Sequence, residues 1–155
     1  MIYYFMAMEK EFNKVKADNK YLIGMNAINM PQTTSDDIII NVGYCGSSHL
    51  KIGTVVEPLE AINIDTGVKY SIDPIFNKPH YTCYTSSVFV EETDITEQCI
   101  FDMELAKIAA LPHKKLYSLK IVSDNLDEDA FDAYDPDEVW VEINELISTV
   151  VKLHQ

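Results

Sequence analysis

Apolar residues in this chain fall into short runs whose period changes several times. Residues 2–6 form a continuous apolar run and predict a first buried strand. Met8, Phe12 and Val15 then recur at helical spacing and predict a helix over residues 9–17. Residues 21–28 and 38–43 read as strands, the second a buried run closed by glycine. Residues 54–64 and 68–72 flank Asp65-Thr66-Gly67, a hairpin turn by composition. A short strand is predicted over 86–90, a helix rich in Ala, Leu and Ile over 102–111 before Pro112, and an alternating strand over 116–122.

The last element carries the clearest start signal. Asp135 can cap a helix that has Pro136 at its first position and Glu138 three residues after the cap, a capping box. One face of that helix would bury Val139, Ile143, Leu146, Ile147 and Val150. Strands that alternate with helices, plus one hairpin, predict an α/β fold: a three-layer domain with a mixed central sheet and helices on both faces. No internal repeat or low-complexity linker interrupts the chain, so residues 1–155 are read as a single domain. Ligands in such sheets gather at the carboxyl ends of strands, which directs attention to the residues after Met6, Val42, Val90 and Val122.

Charge narrows the partners. The 155 residues carry 25 Asp+Glu against 12 Lys+Arg, a net charge of −13, and every basic residue is Lys. Such a chain repels phosphate backbones and lacks the planar guanidinium fork, which argues against nucleic acid and anionic membranes. The apolar opening stretch is too short to span a bilayer and has no basic flank. Cys45, Cys83 and Cys99 are odd in number with no CxxC pair, so neither a disulfide framework nor a zinc site is suggested, and reduced thiols in the cytoplasm are expected. The four histidines are dispersed without ligand spacing. Asp127, Asp129 and Glu138 fall at EF-hand positions 1, 3 and 12, but Phe131 and Asp132 occupy positions 5 and 6 and break that loop. No metal and no cofactor are expected.

Four segments, in order, carry a resemblance. They are Ala7-Met8-Glu9-Lys10-Glu11; Ile39-Ile40-Asn41-Val42-Gly43-Tyr44-Cys45-Gly46 with Lys51-Ile52-Gly53-Thr54-Val55-Val56; Phe101-Asp102-Met103-Glu104-Leu105-Ala106; and Ile121-Val122-Ser123-Asp124-Asn125-Leu126-Asp127. Together they resemble the nucleoside phosphorylase and nucleosidase superfamily, most closely the 5′-methylthioadenosine/S-adenosylhomocysteine nucleosidases, in a form shorter than usual members. The resemblance implies hydrolysis of the N-glycosidic bond of a purine nucleoside, such as 5′-methylthioadenosine, to free base and sugar.

By the same resemblance, Asp124 is the general acid that protonates the leaving purine, and Glu11 activates the attacking water. Glu104 accepts hydrogen bonds from the sugar hydroxyls, Met103 lies under the sugar, and Ser123 belongs to the same substrate-binding set. Phe89 stacks on the base, Val90 offers backbone hydrogen bonds, and Tyr134 covers the 5′ group. A homodimer is implied as well. The alternatives are a phosphate-dependent purine nucleoside phosphorylase, less favoured because Arg is absent, and a catalytically silent nucleoside-binding protein. From the residues alone, Glu11 and Glu104 can equally be solvated acids in the first turns of helices, and Asp124 can equally serve a turn.

Overall fold

A computed structural model describes residues 1–154. In chain order its elements are β1 (Ile2–Met6), α1 (Glu9–Phe12), β2 (Lys20–Leu22), a 3-10 turn (Met25–Ala27), β3 (Ile38–Gly46), β4 (Val55–Val56) and β5 (Glu60–Asn63). There follow β6 (Lys69–Ser71), β7 (Thr82–Thr85), β8 (Cys99–Asp102), α2 (Leu105–Ala109), β9 (Lys115–Asp124), α3 (Glu128–Ala133) and α4 (Glu138–Leu153). Among the described residues the nine strands form one mixed sheet.

The long strand β3 is its axis. It pairs parallel with β1 on one edge and parallel with β9 along the other, and its last residue, Gly46, meets Phe101 of β8 in antiparallel register. From β8 the sheet continues through β7, β5 and β6, while β4 pairs with the far edge of β9. Every residue of β3 is buried, because successive side chains enter opposite cores. Ile38, Ile40, Val42 and Tyr44, with Leu119 and Ile121, pack against Trp140, Ile143, Ile147 and Val150 of α4. Ile39 and Cys45, with Leu116 and Val122, pack against Leu105, Ala106 and Ile108 of α2. Helices therefore cover both faces, the three-layer α/β arrangement expected from the pattern.

Several element boundaries differ from expectation, each for a local reason. The helix over 9–17 stops at Phe12, where Lys20 Nζ takes the carbonyls of Phe12 (2.8 Å) and Val15 (3.0 Å), and Asn144 of α4 ties down Lys16 N–H and Lys14 C=O. The strand over 21–28 ends at Leu22, because Gly24, Asn26 and Ala27 take positive φ. The strand over 54–64 splits into β4 and β5 around Pro58, which has no N–H for the ladder.

The strand placed at 86–90 lies one segment earlier, as β7, and residues 86–90 form a loop. The helix expected over 102–111 begins only at Leu105, whose N–H is accepted by Asp102 Oδ2 at 2.7 Å, and Asp102 instead ends β8, a strand the pattern does not predict. The cap of α4 is Asp137, not Asp135, and its side chain makes no capping bond: Asp135 and Asp137 both pair with Lys14 instead. Asp127, considered above as a calcium ligand, caps α3 by accepting the N–H groups of Asp129 (2.9 Å) and Ala130 (3.4 Å). No described helix is long and apolar enough to cross a membrane.

Candidate active site

The carboxyl ends of β1, β3, β8 and β9 open onto one cavity of about 390 Å³, within the roughly 300–1,000 Å³ usual for small-molecule sites. Glu11, Phe89, Val90, Met103, Glu104 and Asp124 all line it. They come from segments up to 113 residues apart, so their meeting is a product of the fold and not of local sequence.

Each acid is seated by backbone. Glu11, 3% exposed, accepts the N–H of Met8 at Oε1 (2.9 Å) and of Tyr44 at Oε2 (2.8 Å). A Cβ at Gly43 would stand 2.8 Å from that Oε2, so the close approach requires glycine there. The β3–β9 register shifts between Cys45 and Gly46, skipping Ser123 of β9, so that Gly46 lies opposite Asp124, and a Cβ at Gly46 would stand 2.8 Å from Asp124 Oδ2. Asp124 accepts Leu126 N–H at Oδ2 (3.0 Å) and the Ser123 hydroxyl at Oδ1 (2.8 Å). Two glycines of β3 thus make room for two carboxylates.

Burial raises the pKa of Glu11 above the ordinary range, opposed by the Tyr44 N–H, the charge of Lys120 and the Met8 N–H. Burial likewise raises Asp124, opposed by the Ser123 hydroxyl and the Leu126 N–H. Glu104, 8% exposed, is pushed from 4.5 up to about 7, first by burial and then by the negative charge of Asp102. The Cys45 thiol on the same wall is raised far above neutrality by burial and is not a nucleophile.

The Glu104 shift has a stability consequence. The folded chain holds a proton on Glu104 that the unfolded chain releases near pH 4.5, so this residue's contribution to stability falls as pH rises from 4.5 to about 7. At about 1.4 kcal/mol per pH unit the full loss is about 3 kcal/mol. Glu104→Gln, which cannot titrate, is expected to melt close to the wild type at pH 5 and to be more stable by up to about 3 kcal/mol at pH 8. Denaturant midpoints at the two pH values check this; an unchanged difference between them would refute it.

Two expected site residues lie behind or beside the cavity. Ser123 is not on its wall; its hydroxyl reaches both Asp124 Oδ1 and the Cys45 carbonyl (3.3 Å), a partner for either protonation state of Asp124. Tyr134 does not cover the cavity: it follows α3 in extended backbone and packs edge-on against Tyr44, with ring centroids 5.6 Å apart. Phe131 lines the cavity instead, because α3, which the sequence pattern does not reveal, turns it inward. Its ring lies 5.7 Å from that of Phe89, and Lys10 Nζ sits over its face, 4.2 Å from the ring centroid, while donating to the Phe131 carbonyl at 2.9 Å.

One charged residue was missed altogether. Lys120, in the middle of β9, is 1% exposed and pairs with Asp102 Oδ2 at 3.0 Å. Burial opposes its charge, but Asp102, Glu104 and Glu11 more than offset it, so its pKa is raised. Asp102 is further held by the Thr85 hydroxyl (2.6 Å) and the Leu105 N–H. The run reads from sequence as an alternating strand, in which a lysine is ordinary on a solvent face; β9 is instead buried from Leu116 to Asp124, so Lys120 demands a buried partner. Among the described residues no group of three or more His, Cys, Asp or Glu side chains is placed to hold a metal.

Neither a protein-family model nor a curated protein sequence matches the chain. Solved structures do. The 5′-methylthioadenosine/S-adenosylhomocysteine nucleosidase of Neisseria meningitidis, in complex with methylthio-immucillin-A, superposes with TM-score 0.72 at 18% identity over 97% of this chain and 98% of the other. The Chlamydia trachomatis MTAN bound to MTA gives 0.70 at 13% identity over 97% and 96%. The S-adenosylhomocysteine nucleosidase of Streptococcus pyogenes gives 0.68 at 19% identity over 92% and 93%. The chain has the fold of the 5′-methylthioadenosine/S-adenosylhomocysteine nucleosidases.

Proposed function

We propose that the protein is a purine nucleosidase that hydrolyses the N-glycosidic bond of an adenine nucleoside such as 5′-methylthioadenosine. The observation that carries this reading is the convergence of Glu11, Glu104 and Asp124 on one cavity beside an aromatic ring, Phe89, in a fold shared with nucleosidases solved with MTA and its analogues. Glycosidic cleavage passes through an oxocarbenium-like sugar, so the site must protonate the leaving base, stabilise a developing cation and supply a nucleophile. Asp124, raised by burial, holds the proton for the base. Glu11, also raised, is a stronger base for water than an exposed carboxylate, and its backbone donors fix its direction. Glu104 faces the sugar hydroxyls, and Phe89 and Val90 take the base.

Water is favoured over phosphate as nucleophile because the backbone donors near the turn are already spent. Glu11 takes Tyr44 N–H, and the Ser47 hydroxyl accepts from His49 N–H (3.3 Å) and Leu50 N–H (3.1 Å), which removes three donors that an anion would otherwise use. A single cytoplasmic domain that pairs with a second copy completes the reading; exposed Leu22, Met25 and Ile28, of which Met25 lines the cavity, supply apolar surface for pairing. The test is adenine release from 5′-methylthioadenosine and adenosine with and without phosphate. Release independent of phosphate is expected. Release only with phosphate would make the protein a phosphorylase, and purine binding without release would leave it a silent nucleoside binder.

A further inference from the structure

The turn after β2 is strained and does not float free. Gly24, Asn26 and Ala27 have φ of 79°, 63° and 56°; glycine and asparagine tolerate this left-handed backbone, but for Ala27 it is unfavourable. Such a conformation persists only where its surroundings determine it. Here Asn26 is gripped at two points by the start of α2. Its N–H donates to Glu104 Oε2 at 3.0 Å, and its side-chain Oδ1 accepts from Lys107 Nζ at 3.0 Å. Lys107 lies three residues after Glu104, and its Nζ also reaches Ser87 Oγ at 3.4 Å, which in turn donates to Asp65 Oδ2 at 2.5 Å. Glu104 Oε1 accepts no hydrogen bond from the described residues, and the residue lines the cavity beside Met25.

We infer that Asn26, latched by Lys107, is a positioning residue that sets which sugars the site accepts. It acts through Glu104: by occupying Oε2 with a fixed backbone donor, it turns Oε1 toward the cavity as the acceptor for a sugar hydroxyl. A free carboxylate at the start of a helix would rotate between orientations, whereas one anchored through one oxygen presents the other in a single direction. Discrimination between a ribonucleoside and its 2′-deoxy analogue then depends on Lys107 and Asn26, neither of which this scheme brings into contact with the substrate. The inference rests on the nucleosidase reading above.

The experiment compares adenosine with 2′-deoxyadenosine for wild type, Lys107→Met, Lys107→Arg and Asn26→Gly, reading kcat/KM by adenine release and Kd by calorimetry. Glycine tolerates the positive φ and keeps the N–H, so Asn26→Gly removes the latch without forbidding the turn. In Lys107→Met and Asn26→Gly the preference for adenosine is expected to fall roughly tenfold, the scale of one hydrogen bond to a charged acceptor. Lys107→Arg, which keeps a donor, is expected to retain most of it. A general loss of folded protein would lower both substrates together and leave the ratio unchanged. An unchanged ratio in Kd and kcat/KM overturns the inference alone. A wild type that binds both nucleosides without releasing adenine overturns the hydrolytic reading, while the Kd ratio still decides the positioning role; a wild type that binds neither overturns both.

Discussion

Asp124→Asn is expected to lower adenine release by about 10²- to 10⁴-fold, equivalent to roughly 3–5 kcal/mol of transition-state stabilisation. The substitution is nearly isosteric. An asparagine can still accept the Leu126 N–H and lie against Gly46, so melting temperature and nucleoside affinity should stay close to the wild type. What it loses is the proton for the leaving base. A substrate whose leaving group needs no protonation, such as p-nitrophenyl riboside, should therefore lose far less activity in the variant. The pH profile gives a second check. The acid must be protonated to act, so wild-type kcat/KM falls as pH rises through the pKa that burial raises, and the variant's residual rate lacks that limb. Equal losses on both substrates, or an unchanged profile, would make Asp124 a structural residue.

That Asp124 and Glu11 stood out in the sequence at all was due to short segments around them, not to periodicity. Strand and helix alternation was legible because β1, β3, β9 and α4 are long or strongly patterned; the burial of β3 and α4 follows the pattern, while β9, which reads as alternating, is buried on both faces. The site was legible where a residue abuts such an element: Glu11 after β1, Asp124 at the end of β9. It was not legible where tertiary contacts decide. Phe131 and not Tyr134 lines the cavity, because Asp127 caps a helix too short and too polar to register as a periodic run. Asn26 is placed by Glu104 and Lys107, 78 and 81 residues away, and nothing local signals it. Asp102 was read as the first turn of a helix, although it ends a four-residue buried strand; a run that short has no period to measure.

Lys120 shows most directly how the fold and the site depend on each other, and Lys120→Met is expected to cost about 3–5 kcal/mol of stability, as removal of one partner of a buried ion pair does. The pair holds β9 to the junction of β8 and α2, and its loss leaves Asp102 buried with a charge that only the Thr85 hydroxyl and the Leu105 N–H face. The cost is the stranded charge, so it should be recoverable. Adding Asp102→Asn keeps an acceptor for Leu105 and removes the uncompensated charge, and the double variant is expected to regain much of the loss. The same cation lowers the pKa values of Glu11 and Glu104. Without it both carboxylates hold their protons to higher pH, and the limb of kcat/KM that requires an ionised Glu11 should move upward in pH. Chemical denaturation of the two single variants and the double variant measures the coupling, and the pH profile of the double variant measures the field. Additive losses with an unshifted profile would mean that Lys120 fills space rather than balancing the charge of the site.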